Sequence, residues 1–81
     1  MKFRIELRGF DTERIEEILR FTSERYVDTA TGRLIAVGRQ DETLLMIPYD
    51  LADDEIVPVT VHPTSRGQIK TRLNSGRLRH E

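Results

Sequence analysis

The apolar residues of this 81-residue chain change from helical to strand-like spacing after residue 24, and that change restricts the fold more than any other feature. Within residues 11–24 they recur at helical intervals, which places Ile15, Ile18 and Leu19 on one face. From Tyr26 onward they alternate with polar residues or form β-branched runs typical of strands. The pattern predicts an α+β fold, with one main helix packed on an antiparallel sheet of about four to five strands.

A strand-like segment precedes the helix. Residues 2–8 alternate strictly between apolar and charged side chains, which is the period of a half-buried strand. Asp11 is suited to cap the helix N-terminus, and Phe10 and Ile15 occupy the two positions of a hydrophobic staple. The predicted order therefore begins with a strand and continues into a helix that ends near Glu24.

The middle of the chain is predicted to form an antiparallel meander. A turn at Thr31-Gly32 separates the first two of its strands, and the acidic residues 50–55 form a loop before the last one. Pro58 lacks a backbone N–H, which places part of that last strand at an edge or a bulge. The predicted strands cover residues 26–29, 33–39, 43–49 and 56–62.

A short, basic helix is predicted after the last strand. Ser65 and Gln68 form a capping box at its start, and Gly76 is suited to the position just after its end. Only Ile69 and Leu73 form an apolar stripe along it. We therefore expect this helix to dock lightly on the sheet and to leave most of its surface exposed.

Length and composition exclude several classes of protein. A chain of 81 residues has no room for a second domain, so residues 1–81 are predicted to form one domain. The absence of cysteine removes disulfides, thiolate nucleophiles and cysteine-based metal sites. No apolar run approaches the roughly 20 residues of a membrane span, and no signal-peptide core is present. We expect a cytoplasmic protein with no membrane partner.

No cofactor or metal site is predicted. The two histidines, His62 and His80, lack the close spacing of zinc ligands. The acidic cluster lacks the central glycine of a calcium-binding loop, and no glycine-rich phosphate loop is present.

Charge is unevenly distributed along a chain whose net charge is only −1. Residues 40–55 contain acids and no base, whereas five of the six charged residues after Pro63 are cationic. Arginine greatly outnumbers lysine, and its planar guanidinium pairs bidentately with phosphate or carboxylate. The pattern favours phosphate recognition or an acidic protein partner. A GC-rich genome would give the same arginine bias without any function.

The residues around and after the last predicted strand suit RNA phosphodiester chemistry. Cleavage through the ribose 2′-hydroxyl needs a proton-transfer group and cations, but no metal. His62 is the candidate proton-transfer group, and Arg66 is the candidate phosphate ligand beside the helix N-terminus. The alternative is structural: a histidine at a strand end, and charged residues that are simply solvated. The candidate RNA-binding residues are Arg25, Tyr26, Lys70, Arg72, Arg77 and Arg79.

Three short motifs resemble those of a known family. Residues 24–28 (ERYVD) and 31–39 (TGRLIAVGR) are similar to the central hairpin of small BrnT-like toxins in the RelE/ParE superfamily. Residues 59–66 (VTVHPTSR) resemble that family's final strand and its arginine-containing turn into a last helix. The resemblance covers about residues 12–72.

The resemblance implies a helix-backed antiparallel sheet with the order β-α-β-β-β-β-α. It further implies a toxin that binds RNA or the ribosome, in many members a metal-independent ribonuclease, and that is inhibited by a co-encoded antitoxin; the ParE branch acts on gyrase instead. Arg25, Arg39 and Arg66 match basic positions expected near the active groove. His62 lies where the family's last strand delivers side chains to the site. Arg39 therefore joins Arg66 as a candidate phosphate ligand.

Two features of the family are replaced in this chain. A plain strand stands in place of an N-terminal segment that contains Trp, Lys and His, and arginines stand where an E-x-x-x-Y motif would follow the last helix. A relative that binds RNA without cutting it is therefore an alternative. So is a non-catalytic interaction module that docks on an acidic partner, or a homodimer in which the acidic loop of one copy meets the basic tail of another.

Overall fold

The structure is a computed structural model that describes residues 10–81. The strand predicted at residues 2–8 lies outside the described residues. In the described part of the chain, two helices and six strands follow in this order: α1 (Thr12–Phe21), β1 (Arg25–Asp28), β2 (Leu34–Gln40), β3 (Thr43–Ala52), β4 (Glu55–Pro58), β5 (His62–Thr64), α2 (Arg66–Asn74) and β6 (Leu78–His80).

All six strands belong to one antiparallel sheet, so the predicted α+β class is confirmed. The strand order is β4-β3-β2-β1-β6, and β5 lies beside β4 along the same edge of β3. Residues 49–52 of β3 pair with β4, and residues 44–46 pair with β5. The long strand β3 therefore holds two short edge strands end to end.

The two helices cover opposite faces of the sheet. Alternate residues of β2 and β3 point to opposite faces, and they divide the buried side chains into two clusters. We call the two sides the α1 face and the α2 face, after the helix that covers each. On the α1 face the cluster contains Ile15, Ile18, Leu19, Ala36, Leu45, Ile47, Tyr49 and Val61. On the α2 face it contains Tyr26, Ile35, Val37, Leu44, Met46, Ile69 and Leu78.

Helix α1 begins as predicted but ends three residues early. The Asp11 carboxylate accepts hydrogen bonds from the amides of Glu13 and Arg14, as a cap requires. At the other end Thr22 has extended backbone angles, and its hydroxyl donates to the Val37 carbonyl at 2.7 Å. The Val37 amide in turn donates to the Glu24 carbonyl at 3.0 Å. Pairing with β2 therefore takes residues 22–24 out of the helix.

The strand predicted at residues 56–62 is divided into β4 and β5. Pro58 and Pro63 lack the amide donors that a continuous edge strand would use. Between them Val61 turns into the α1-face cluster, where 9% of it remains exposed. The predicted acidic loop is also shorter than expected, because Asp53 and Asp54 form a two-residue hairpin turn with φ values of 48° and 68°.

The predicted basic tail is the edge strand β6. Gly76, with a φ of 80°, turns the chain at the end of α2. Thr29 then donates its amide to the Arg77 carbonyl at 2.9 Å, and Leu78 is buried with 2% of its surface exposed. Burial of Leu78 beside Ile69 fixes the end of the chain against β1. Strand β6 has three residues, too few for an alternation of apolar and polar side chains to indicate it from sequence.

Candidate nucleic-acid interface

Helix α2 rests on the sheet through a narrow stripe. Ser65 accepts a hydrogen bond from the Gln68 amide at 3.1 Å, so it caps the helix as predicted. The Gln68 side chain accepts from the Thr64 hydroxyl at 3.0 Å instead of from the Ser65 amide, so the other half of the predicted capping box is not formed. Ile69 is buried, and Leu73 is half-buried beside it. Residues four apart share one side of a helix. Arg66 and Lys70 therefore line one side of the stripe, and Gln68 and Arg72 line the other.

An open cleft of about 400 Å³ lies on the Gln68–Arg72 side of α2. Apolar side chains of β2 and β3 contribute to its lining, and polar side chains come from β1, β5, α2 and the α2–β6 turn. His62 reaches this cleft because it pairs with Met46 in register and so shares its face. The lining residues are Asp28, Ile35, Met46, Pro48, His62, Pro63, Thr64, Gln68, Arg72 and Arg77.

The two arginines of the cleft differ in their electrostatic partners. Arg77 donates two hydrogen bonds to the Asp28 carboxylate, at 3.0 and 3.4 Å. The hydrogen bond from Arg77 lowers the pKa of Asp28, despite an opposing effect of burial. Arg72 instead directs Nη1 to the sulfur of Met46 at 3.5 Å. No carboxylate within residues 10–81 forms an ion pair with Arg72, so its charge is available to a ligand.

A second polar cluster lies on the Arg66–Lys70 side of α2. Oε2 of Glu24 accepts hydrogen bonds from the Tyr26 hydroxyl at 2.8 Å and from Nη1 of Arg66. The ring of His80 lies 5.1 Å from the ring of Tyr26, centroid to centroid. Arg39, at the end of β2, is close enough for its charge to act on Glu24. We call this group, Glu24, Tyr26, Arg39, Arg66 and His80, the Glu24 cluster.

The contacts within the Glu24 cluster change its acid strengths. Burial raises the pKa of Glu24, but the hydrogen bonds from Arg66 and Tyr26 and the nearby positive charges outweigh it, so the pKa lies below its usual range. Burial, together with the hydrogen bond to Glu24, raises the pKa of Tyr26. The same carboxylate raises the pKa of Arg66. Glu24 is therefore ionised at neutral pH.

Two predicted RNA-binding residues lie away from the α2 face. Arg25 is half-buried on the α1 face, where its guanidinium donates to the Leu19 carbonyl at 2.7 Å and to the Tyr49 hydroxyl at 3.0 Å. Its charge also lies 5.6 Å from the centre of the Tyr49 ring. Arg79 pairs with Val27 in register and is directed toward the same face. Arg25 therefore has a structural role in this fold.

Seven of the nine predicted site residues lie on the α2 face, in two groups. No hydrogen bond or ion pair joins the side chains of His62 and Arg66 in the described chain, and Arg66 pairs with Glu24 instead. The cleft group contains His62, Arg72 and Arg77, and the group on the other side of α2 contains Tyr26, Arg39, Arg66 and Lys70.

Sequence reasoning missed the acids that organise this face. Glu24 directly precedes β1, and Tyr26 and Asp28 lie within it; the two-residue spacing of the three places them on one side of an extended chain. Their roles depend on Arg66 and Arg77, which are more than forty positions away, so no local pattern indicated them.

The fold and this face define a small α+β domain with a cationic surface on one side. No family model, curated protein or solved structure matches the chain. Within residues 10–81, neither helix is long and apolar enough to cross a membrane. The same residues contain no group of three or more carboxylates and histidines placed to hold a metal ion.

Proposed function

We propose that the protein is a toxin-like RNA-binding protein whose α2 face holds a single strand of free or ribosomal RNA. The observation that carries the proposal is Arg72, whose guanidinium forms no ion pair with a carboxylate of residues 10–81 and lies beside His62 in an open cleft. An unpaired arginine at a cleft is a ready ligand for phosphate, because its planar fork donates to two oxygens at once.

The lining of the cleft favours a single strand over a duplex. Met46 and Pro48 supply an apolar floor, and the His62 ring supplies a surface on which a base can stack. Duplex RNA hides its base faces, whereas a single strand exposes them. The base would lie on the floor and its phosphate against Arg72.

The opposite side of the molecule would orient the RNA. Helix α1 carries Glu13, Glu16 and Glu17, of which the last two pair with Arg20 and Arg14, and the β3–β4 turn carries Asp53 and Asp54. Carboxylates on that side repel a polyanion, while the cations of α2 attract it. Approach from the α2 side is therefore favoured before any contact forms.

The test is the salt dependence of RNA binding. Fluorescence anisotropy of a labelled single-stranded RNA should detect binding at 50 mM salt that weakens steeply as salt rises. Arg72→Ala should weaken binding several-fold and reduce the slope of log K against log salt by about 1. The matched control is Arg20→Ala, because Arg20 is an exposed arginine on α1 that pairs with Glu16 at 2.9 Å. Equal effects of the two changes, or no binding by the wild type, would contradict the proposal.

A second candidate is the protein-interaction module, and one observation favours it. Phe21 and Leu51 are 79% and 63% exposed, and both belong to elements of the α1 face. Two exposed large apolar side chains are suited to a protein partner, either a second copy or a co-encoded antitoxin. Sedimentation of the wild type and of Phe21→Ser would show whether the protein self-associates through this side.

A further inference from the structure

We propose that one side of helix α1 is a self-association surface, through which two copies of this chain pair with their α1 helices antiparallel. The surface is separate from the α2 face, and the pairing does not depend on the binding of RNA. It commits the exposed side chain of Phe21 to one occupant, a second copy of the chain.

Phe21 is the most exposed large apolar side chain within residues 10–81, with 79% of its surface open. It is the last residue of α1 and follows Glu17 by four positions and Arg14 by seven, so these three side chains lie along one side of the helix. A single apolar side chain on a surface is common and by itself indicates no partner. The space and the charges beside Phe21 carry the inference.

An open depression of about 220 Å³ adjoins this side of α1. Ile18 is buried at its edge, and Gly38 of β2 contributes no side chain to fill it. The depression therefore gives room for side chains of a second helix that lies alongside α1. The lining residues are Arg14, Glu17, Ile18, Phe21, Thr22 and Gly38.

The charges on this side of α1 are self-complementary. Arg14 and Glu17 form an ion pair at 3.2 Å, and their side chains remain 43% and 59% exposed. If a second α1 runs antiparallel about a two-fold axis midway between these residues, Arg14 of each copy faces Glu17 of the other. A parallel arrangement in register would place like charges opposite each other. Complementary charges across the interface therefore select the antiparallel pairing.

The same axis places Phe21 over the start of α1 in the other copy. Residues 21 and 10 are equally far from the axis along the chain, so the ring lies near Phe10, which is half-buried against the α1-face cluster. The guanidinium of Arg14 in the other copy is close enough to stack on the ring. Two Phe21 rings leave water in each dimer, and this burial supplies the main driving force.

The expected dimer is weak and leaves the α2 face open. An interface built on one side of a short helix belongs to the class that buries less than about 1,200 Å² in total, so we expect a dissociation constant in the micromolar range or above. Helices α1 and α2 cover opposite faces of the sheet. Both α2 faces therefore lie on the outer sides of the dimer, where RNA remains able to reach them.

The first test is the oligomeric state. Sedimentation equilibrium of the wild type at roughly 10–500 µM should show a reversible equilibrium between monomer and dimer. Phe21→Ser should raise the dissociation constant at least about tenfold, because it removes the aromatic side chain at the interface. The matched control is Leu51→Ser. Leu51 is 63% exposed but lies outside the depression, so this change should leave the dimer intact.

The second test exchanges the charges. Arg14→Glu and Glu17→Arg each place like charges opposite each other, so each variant alone should dimerise at least about tenfold more weakly than the wild type. An equimolar mixture of the two variants should recover a mixed dimer, in which every charge faces an opposite one. Both variants lack the ion pair within the chain, and mixing restores nothing within a chain. Recovery is therefore specific to contact between copies.

Three outcomes would overturn the inference. A wild type that stays monomeric throughout would leave Phe21 to a different protein partner. A dimer that Phe21→Ser leaves intact would have its interface elsewhere. A mixture of the two charge variants that remains monomeric would exclude the antiparallel pairing. Each of these results would leave the proposed binding of RNA standing, because that proposal is tested by Arg72→Ala on the opposite face.

Discussion

Gly38 lies so close to Ile18 that a β-carbon built at Gly38 would be 2.6 Å from Cγ1 of Ile18 and 2.7 Å from its Cγ2. These atoms belong to the branch of a buried side chain, of which only 3% is exposed, so they have little room to move. The missing side chain at residue 38 therefore sets how closely α1 approaches β2. Both the α1-face cluster and the position of Thr22 depend on that approach.

Replacement of Gly38 by alanine is expected to destabilise the fold by about 1–3 kcal/mol, the usual cost of overpacking a core. Urea unfolding followed by circular dichroism measures the change. The matched control is Gly67→Ala on α2, where the nearest atom to an added β-carbon is Oγ of Ser65 at 3.9 Å. Alanine is a better helix former, so this change should stabilise by up to about 1 kcal/mol. If Gly38→Ala also raised the free energy of unfolding, Ile18 would have moved aside for the added β-carbon.

The long periodic segments of the fold were predictable from sequence, and the short ones were not. Helix α1 and the hairpin of β2 and β3 follow from apolar periodicity and turn residues, because each buries several side chains on one face. The division of the last strand depends on two prolines and on the inward turn of Val61. Strand β6 buries a single side chain, that of Leu78. Tertiary contacts decide such short segments, and sequence spacing does not.

Only the residue types of the candidate site were predictable from sequence, and their pairings were not. The cationic residues of α2 were visible in the sequence, but the partner of each was not. Arg66 meets Glu24, just before β1, and Arg77 meets Asp28 of β1, while Arg72 meets the sulfur of Met46. These pairings are set by the sheet order β2-β1-β6, which no local motif indicates.

Arg25 is expected to act on stability and not on RNA. Arg25→Ala removes the donors to Leu19 and Tyr49 and should cost about 1–3 kcal/mol, because it leaves these partners without their hydrogen bonds. Arg25→Lys should restore little, since an ammonium cannot reproduce the two-sided guanidinium contact. Thermal unfolding measures both changes. Reduced RNA affinity in a fully folded Arg25→Ala protein would instead place Arg25 in the interface.

Stability is expected to fall in acid through Glu24 and Asp28. Arg66 holds the pKa of Glu24 below its ordinary value, and Arg77 does the same for the pKa of Asp28. A lowered pKa in the folded state stabilises the fold above the unfolded-state pKa, near 4, and this contribution is lost as pH falls through the folded-state value. Urea midpoints measured between pH 7 and pH 2 should therefore decline below about pH 4. In Glu24→Gln and Asp28→Asn the decline should be shallower, and an unchanged slope would exclude these pairs as its source.

Docking of α2 is expected to depend on Ile69. Ile69 is the one buried side chain of this helix, so Ile69→Ala should cost about 2–5 kcal/mol and loosen α2 from the sheet. RNA affinity should fall with it, because Arg66 and Arg72 are positioned by the same helix. Lys70→Ala, at the adjacent exposed position, serves as the control. It removes a charge and should leave the free energy of unfolding unchanged within about 0.5 kcal/mol. Hydrogen exchange of the α2 amides distinguishes the two variants. If those amides stay protected in Ile69→Ala, the helix is held by Leu73 and the sheet edge instead.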